Sequence, residues 1–126
     1  MKYIIDSSAW IEYLKGSEIG KKVAQILEED NEIYIIPLNI SEVVSKIKKE
    51  NSNAELAYEV LVSNANLVEI TPKIAKEAGL LHAQLKKKTK NISLIDTLIM
   101  CVAKSMSGKI LTTDNHFKNS ELAILI

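Results

Sequence analysis

Arginine is absent from this 126-residue chain; all sixteen basic side chains are lysine, and sixteen acids bring the net charge to zero. A neutral chain lacks the basic excess of a non-specific duplex-DNA binder. The only cysteine is Cys101, which excludes a disulfide framework and a Cys-rich zinc site. Four dispersed glycines, Gly16, Gly20, Gly79 and Gly108, leave no glycine-rich phosphate loop. Aromatic residues are few and scattered (Tyr3, Trp10, Tyr13, Tyr34, Tyr58, Phe117), so a base-stacking sheet of the kind that grips single-stranded RNA is excluded as well. Uninterrupted apolar stretches such as Leu98 to Ala103 fall far short of a membrane span, and the start MKYIID shows no signal peptide. A soluble, cytoplasmic protein is expected.

An apolar content of 47% with interspersed charge is that of a globular chain. With no repeat, low-complexity tract or Pro/Gly-rich linker, residues 1–126 read as a single domain. Lys2–Asp6, Glu32–Pro37, Leu67–Ile70, Lys109–Thr112 and Leu122–Ile126 have the β-branched, apolar character of strands. Between them lie helical patterns. Ser7–Leu14 ends at Gly16, and Ser17 caps a stripe of Ile19, Val23, Ile26 and Leu27. Asn39 opens a helix with Ile40, Val43, Val44 and Ile47 on one face, and a further helix covers about Asn53–Asn64. Thr71-Pro72 begins a long helix to about Lys88, and Ser93 caps another that Gly108 stops. Strands alternating with helices imply an α/β fold with a parallel sheet covered on both faces. Ligands of such sheets gather at the carboxyl ends of the strands, where Asp6 and Asp114 fall.

Only four of the acids are aspartate: Asp6, Asp30, Asp96 and Asp114. Each acid of interest has a plain structural reading. Asp6 caps the first helix; Glu42 follows Asn39, and Asp96 follows Ser93, at capping-box spacing; Asp114 makes an Asx-turn. Yet Asp96 lies within NISLIDTLIMCVA and Glu42 within NISEVVSKI, beside buried stripes. Carboxylates held against apolar surface need a partner, and the usual arginine is missing. Lysine is one solution; a hard divalent cation, Mg²⁺ or Mn²⁺, is the other. Carboxylates around such an ion at a strand edge are an arrangement used to hydrolyse phosphodiesters. His116, two residues past Asp114, falls near this site, whereas His82 reads as a core-edge residue and Cys101 as a buried, inert thiol. Lys46, Lys48, Lys49, Lys86 to Lys88 and Lys90 read either as solvated helix ends or as phosphate contacts.

The segments IIDSSAWIEYL, NISEVV, ISLIDTLI and ILTTDNHF occur in an order that resembles the PIN domain family, and within it the VapC-type toxins of toxin–antitoxin pairs. The resemblance covers the chain from Tyr3 to its last strand. It implies an α/β/α sandwich with a mostly parallel sheet, and a Mg²⁺- or Mn²⁺-dependent endoribonuclease. The family's acidic quartet carries over onto Asp6, Glu42, Asp96 and Asp114, with Asp6, Asp96 and Asp114 holding the metal and Glu42 ligating or orienting the attacking water. Thr112 is expected to support Asp6, and Ser7 to lie nearby. Cleavage by in-line attack leaves a 5′-phosphate and a 3′-hydroxyl. At His116 many relatives carry another aspartate, which bears on the number of metal ions. The implied partners are RNA, a small antitoxin and a second copy of the chain, with no membrane. Two other readings stay open: a phosphoacceptor signalling domain, suggested by the length and the aspartate after the first strand, and a catalytically silent PIN-like binding module.

Overall fold

Side chains of a strand alternate between faces, and the first strand uses both. In a computed structural model describing residues 1–126, β1 (Lys2–Ile5) sends Tyr3 and Ile5 into one hydrophobic cluster and Ile4 into another. The first cluster collects Trp10, Val23, Val43, Ile47 and Leu61 from four helices: α1 (Ser7–Lys15), α2 (Glu18–Glu28), α3 (Pro37–Lys49) and α4 (Ala54–Asn64). The second draws Ile99, Met100 and Val102 from α6 (Leu94–Ser105), with Ile74 and Leu81 of α5 (Pro72–Leu85) packed against it. Four helices therefore cover one face and two the other, giving an α/β/α sandwich. Strands buried on both sides read as near-continuous apolar runs, as these do.

The remaining strands are β2 (Glu32–Ile35), β3 (Asn66–Leu67), β4 (Lys109–Thr112) and β5 (Ala123–Leu125), and every pairing is parallel. Their order is β3-β2-β1-β4-β5. The chain steps from β1 outward through β2 to β3, then returns on the other side of β1 as β4. Strand order thus reverses between β1 and β4, and connections leaving their carboxyl ends diverge to open a crevice. Ile5 pairs with Leu111, so Asp6 emerges beside Thr112 at this point.

Several boundaries differ from the sequence expectations. α3 starts at Pro37, with Ile36 as its N-cap, because proline at the first helical position has its φ already set and needs no hydrogen bond for its nitrogen. Asn39 is therefore inside the first turn, and the expected Asn39–Glu42 capping box does not form. α5 ends at Leu85 rather than about Lys88, and β3 and β5 are shorter than expected. At the end of α6 the left-handed residue is Ser107 (φ 56°), and the Gly108 amide bonds back to Ala103 O at 2.9 Å. Gly108 is the second residue of that closure, not its αL position. Gly16 does take φ 67° at the end of α1. Gly20 has another role: a Cβ there would run into the Glu12 carbonyl, so glycine lets α2 pack closely on α1. No helix is long and apolar enough to cross a membrane.

Candidate active site

Asp6 follows β1 and takes the N-cap position of α1, but its side chain makes no capping bond. Its Oδ2 instead accepts hydrogen bonds from Thr112 Oγ1 at 2.9 Å and Ser8 Oγ at 3.0 Å. A hydroxyl has one proton, and both protons go to Asp6. The 3.2 Å approach of Ser8 Oγ to Thr112 Oγ1 is then a contact of lone pairs while Asp6 is ionised. Those oxygens also serve as acceptors, Ser8 Oγ for the Thr113 amide at 3.1 Å and Thr112 Oγ1 for the Asp114 amide at 2.9 Å. One network thus ties the ends of β1 and β4 together around Asp6. The carboxyl is only 4% exposed, and burial raises its pKa from 3.8 to about 6, against the lowering effect of the two hydroxyls. The nearby charge of Asp96 raises it further.

Asp96 is held by the start of α6. Ser93 Oγ accepts from the Asp96 amide and Asp96 Oδ2 accepts from the Ser93 amide, both at 3.0 Å, so this capping box forms as expected. The cap and the site are compatible here, because the reciprocal bonds fix where the carboxylate sits. Asp114 follows β4, and its Oδ1 accepts the His116 amide at 2.8 Å, the expected Asx-turn, leading into a 3₁₀ turn at Asn115–Phe117. Phe117 anchors that turn in the core. The turn swings the His116 ring back, with Nδ1 at 3.1 Å from Asp114 Oδ1 and 3.7 Å from Asp96 Oδ2. One ligand atom from each of Asp96, Asp114 and His116 lies within 4.8 Å of the others. Two carboxylates and an imidazole suit a divalent cation such as Mn²⁺, and the oxygen donors suit Mg²⁺.

Glu42 is reached from α1. Ser7 Oγ donates to Glu42 Oε1 at 2.7 Å, and Asn39 Nδ2 donates to Ser7 Oγ at 2.8 Å and to Glu42 Oε1 at 3.1 Å. Glu42 itself is exposed, while Asn39 is fully buried and its Oδ1 has no partner. The sequence-derived residues therefore fall into adjoining groups: Asp96 and Asp114 together, Asp6 beside them through Thr112 and the charge of Asp96, and Glu42 joined to α1 through Ser7. Sequence reasoning did not mark Ser8, took Asn39 for a cap, and left His116 out of the metal ligands. Pro37 held the signal for Asn39, since proline as first helical residue puts position 39 inside the first turn rather than at the cap; there its side chain bonds Ser7 of α1. His82 lies at the core edge as expected, its Nε2 3.2 Å from Ile92 O; Cys101, expected to be buried, is only half-buried, and desolvation still pushes its thiol up.

The same architecture occurs in solved structures. The chain is similar to VapBC2 from Rickettsia felis bound to a DNA fragment from its promoter (19% identity, TM-score 0.74, covering 100% of this chain and 98% of that one). It is similar to a toxin–antitoxin complex from Klebsiella pneumoniae (20% identity, TM-score 0.75, 97% and 95% covered). It is likewise similar to Mycobacterium tuberculosis VapC20, a Sarcin-Ricin loop cleaving toxin (12% identity, TM-score 0.78, 95% of each chain). Identities this low speak for the fold. No curated protein matches the chain in sequence. The family model of the PIN domain matches residues 3–121, a span that takes in all four motifs, and the chain belongs to the PIN domain family.

Proposed function

We propose that this protein is a Mg²⁺- or Mn²⁺-dependent endoribonuclease and the toxin of a toxin–antitoxin pair. The observation that carries the reading is the meeting of Asp96, Asp114 and His116 within 4.8 Å, beside the desolvated Asp6, in the crevice of a PIN fold. A buried carboxyl pushed up to about 6 next to other acids is held where a cation would relieve it. Asp6, Asp96 and Asp114 would hold the ion, with His116 as an additional ligand. When bound, the ion polarises the phosphoryl oxygen and lowers the pKa of water.

The chain's own residues do the rest. Thr112 and Ser8 keep Asp6 aimed into the crevice, and the Ser93 cap does the same for Asp96. Ser7 and Asn39 both bond Glu42 Oε1, a fixed acceptor that orients the attacking water. Attack on phosphorus breaks the P–O3′ bond and leaves a 5′-phosphate and a 3′-hydroxyl. The phosphoacceptor reading is less favoured, because Asp6 is followed by serines whose hydroxyls bond Asp6 and Glu42 rather than by a second acid. The silent-module reading lacks support in an acidic cluster this close.

An antitoxin and a homodimer are proposed as partners. A groove of about 420 Å³ beside Tyr13, Ile47 and Leu56, with exposed Leu56, Tyr58 and Val62, offers apolar surface for such contacts. The deciding experiment is cleavage of RNA with Mg²⁺, Mn²⁺ or EDTA, alongside Asp6→Asn. Activity lost in EDTA and in the variant is expected; activity that survives both overturns the site.

A further inference from the structure

Two cavities adjoin the acidic cluster on its His116 side and share Lys88, Thr89, His116 and Asn119. One, about 330 Å³, has no hydrophobic lining and adds Asn115 and Lys118. The other, about 520 Å³, has an apolar floor of Leu81, Leu85, Ile92, Met100 and Leu122, with Lys104 at its wall. Its volume lies within the range of about 300–1,000 Å³ for small-molecule sites. No carboxylate lines either cavity, although Asp114 is two residues from His116. Three lysines without a compensating acid, directly beside a carboxylate cluster, make a sharp reversal of charge. A phosphodiester strand crossing the crevice would meet that reversal, with the bond to be cut at the acids and its neighbouring phosphate among lysines.

We propose that the two cavities form one nucleotide subsite for the RNA strand, resting on the nuclease reading above. The polar cavity receives a phosphate and ribose next to the scissile bond, on Lys88 and Lys118. The apolar cavity receives the adjoining base. With no aromatic side chain in its lining, the base is held by aliphatic contact and the Met100 thioether, while Asn119, Ser120 and Thr89 offer polar groups to its edge. Base preference at one position next to the cut is therefore set here. Lysine, a point charge without a planar fork, holds the phosphate and leaves base choice to the apolar cavity.

The test uses the full chain and short fluorescent single-stranded RNA, with binding followed by anisotropy in EDTA over a salt series. This arm needs no cleavage, so its outcome is separate from that of the nuclease reading. The K88Q/K118Q variant changes two exposed side chains and keeps the fold. It is expected to bind about tenfold more weakly, with the slope of log K against log salt reduced by about 0.7, the contribution of the one single-strand phosphate these lysines hold. K21Q/K22Q on α2, across the sheet, is expected to change neither. A scan of single abasic nucleotides is expected to find one position where wild-type affinity falls about tenfold. Equal losses in both lysine pairs, an unchanged slope in K88Q/K118Q, or indifference to every abasic position overturns the subsite. If RNA binds with these signatures but Mg²⁺ and Mn²⁺ yield no cut, the subsite stands and the nuclease reading falls.

Discussion

Replacing Asp6 by asparagine should abolish cleavage and at the same time stabilise the metal-free protein. The Asp6 pKa rises from 3.8 in the unfolded chain to about 6 in the folded one, chiefly by burial. Between these values the folded state binds more protons than the unfolded state, so stability falls as pH rises through that window. Below it the carboxyl is neutral in both states and nothing is lost; above it the full penalty applies. A rise from 3.8 to about 6 is worth about 3 kcal/mol. Asparagine carries no charge, and its Oδ1 can still accept from Thr112 and Ser8, but its amide protons lack acceptors there, which returns about 1 kcal/mol. The expected net gain is about 2 kcal/mol at about pH 8, declining to zero or below by about pH 4. For 126 residues the unfolding entropy is roughly 0.26 kcal/mol/K, so the melting temperature should rise by about 8 °C at the higher pH. Urea or thermal melts of both proteins in EDTA, at the two pH values, measure this. A variant less stable than wild type at about pH 8, or a difference independent of pH, refutes the claim that burial strains this carboxyl. Adding Mn²⁺ should narrow the gap, because the ion binds folded wild type and relieves the same charge.

Further outcomes follow from the neighbouring contacts. Asn39→Ala should lower the cleavage rate by about 10–100-fold with little change in KM, since it removes one of the two donors to Glu42 Oε1 and leaves Glu42 itself in place; steady-state kinetics will tell. Thr112→Val should cost about 1–3 kcal/mol, because it leaves the Asp114 amide without its acceptor and Asp6 with one donor fewer; chemical denaturation measures it. Ser93→Ala removes the acceptor for the Asp96 amide and should cost about 1 kcal/mol in the same melts. Gly20→Ala should destabilise by well over the roughly 1 kcal/mol typical of single substitutions, despite alanine's better helix propensity, because its methyl meets the Glu12 carbonyl; thermal melts measure it.

The sequence by itself determined the fold class, the element order and the capping box at Ser93–Asp96, since these rest on periodicity, turn residues and contacts between residues close in the chain. It also marked Asp6, Glu42, Asp96 and Asp114 through a resemblance to the PIN domain family, and membership in that family is borne out. Tertiary structure decided how these acids are held. By spacing alone Asp6 looked like a helix cap, and only the family resemblance named Thr112; the carboxyl end of β4 lies beside Asp6, and Thr112, more than a hundred residues away, donates to its carboxylate as that resemblance implied. Asn39 looked like a cap for Glu42, yet it is buried against Ser7 of another helix. His116 joins Asp96 because a 3₁₀ turn anchored by Phe117 folds it back over α6, a path that spacing from Asp114 does not reveal. The gap left by the missing arginine likewise changed character. No lysine pairs with these carboxylates, and Lys88, Lys104 and Lys118 instead line the cavities next door. Chain neighbours fix caps and periodicity, but the desolvation and charge that make a site arise only where distant strand ends are brought to one crevice.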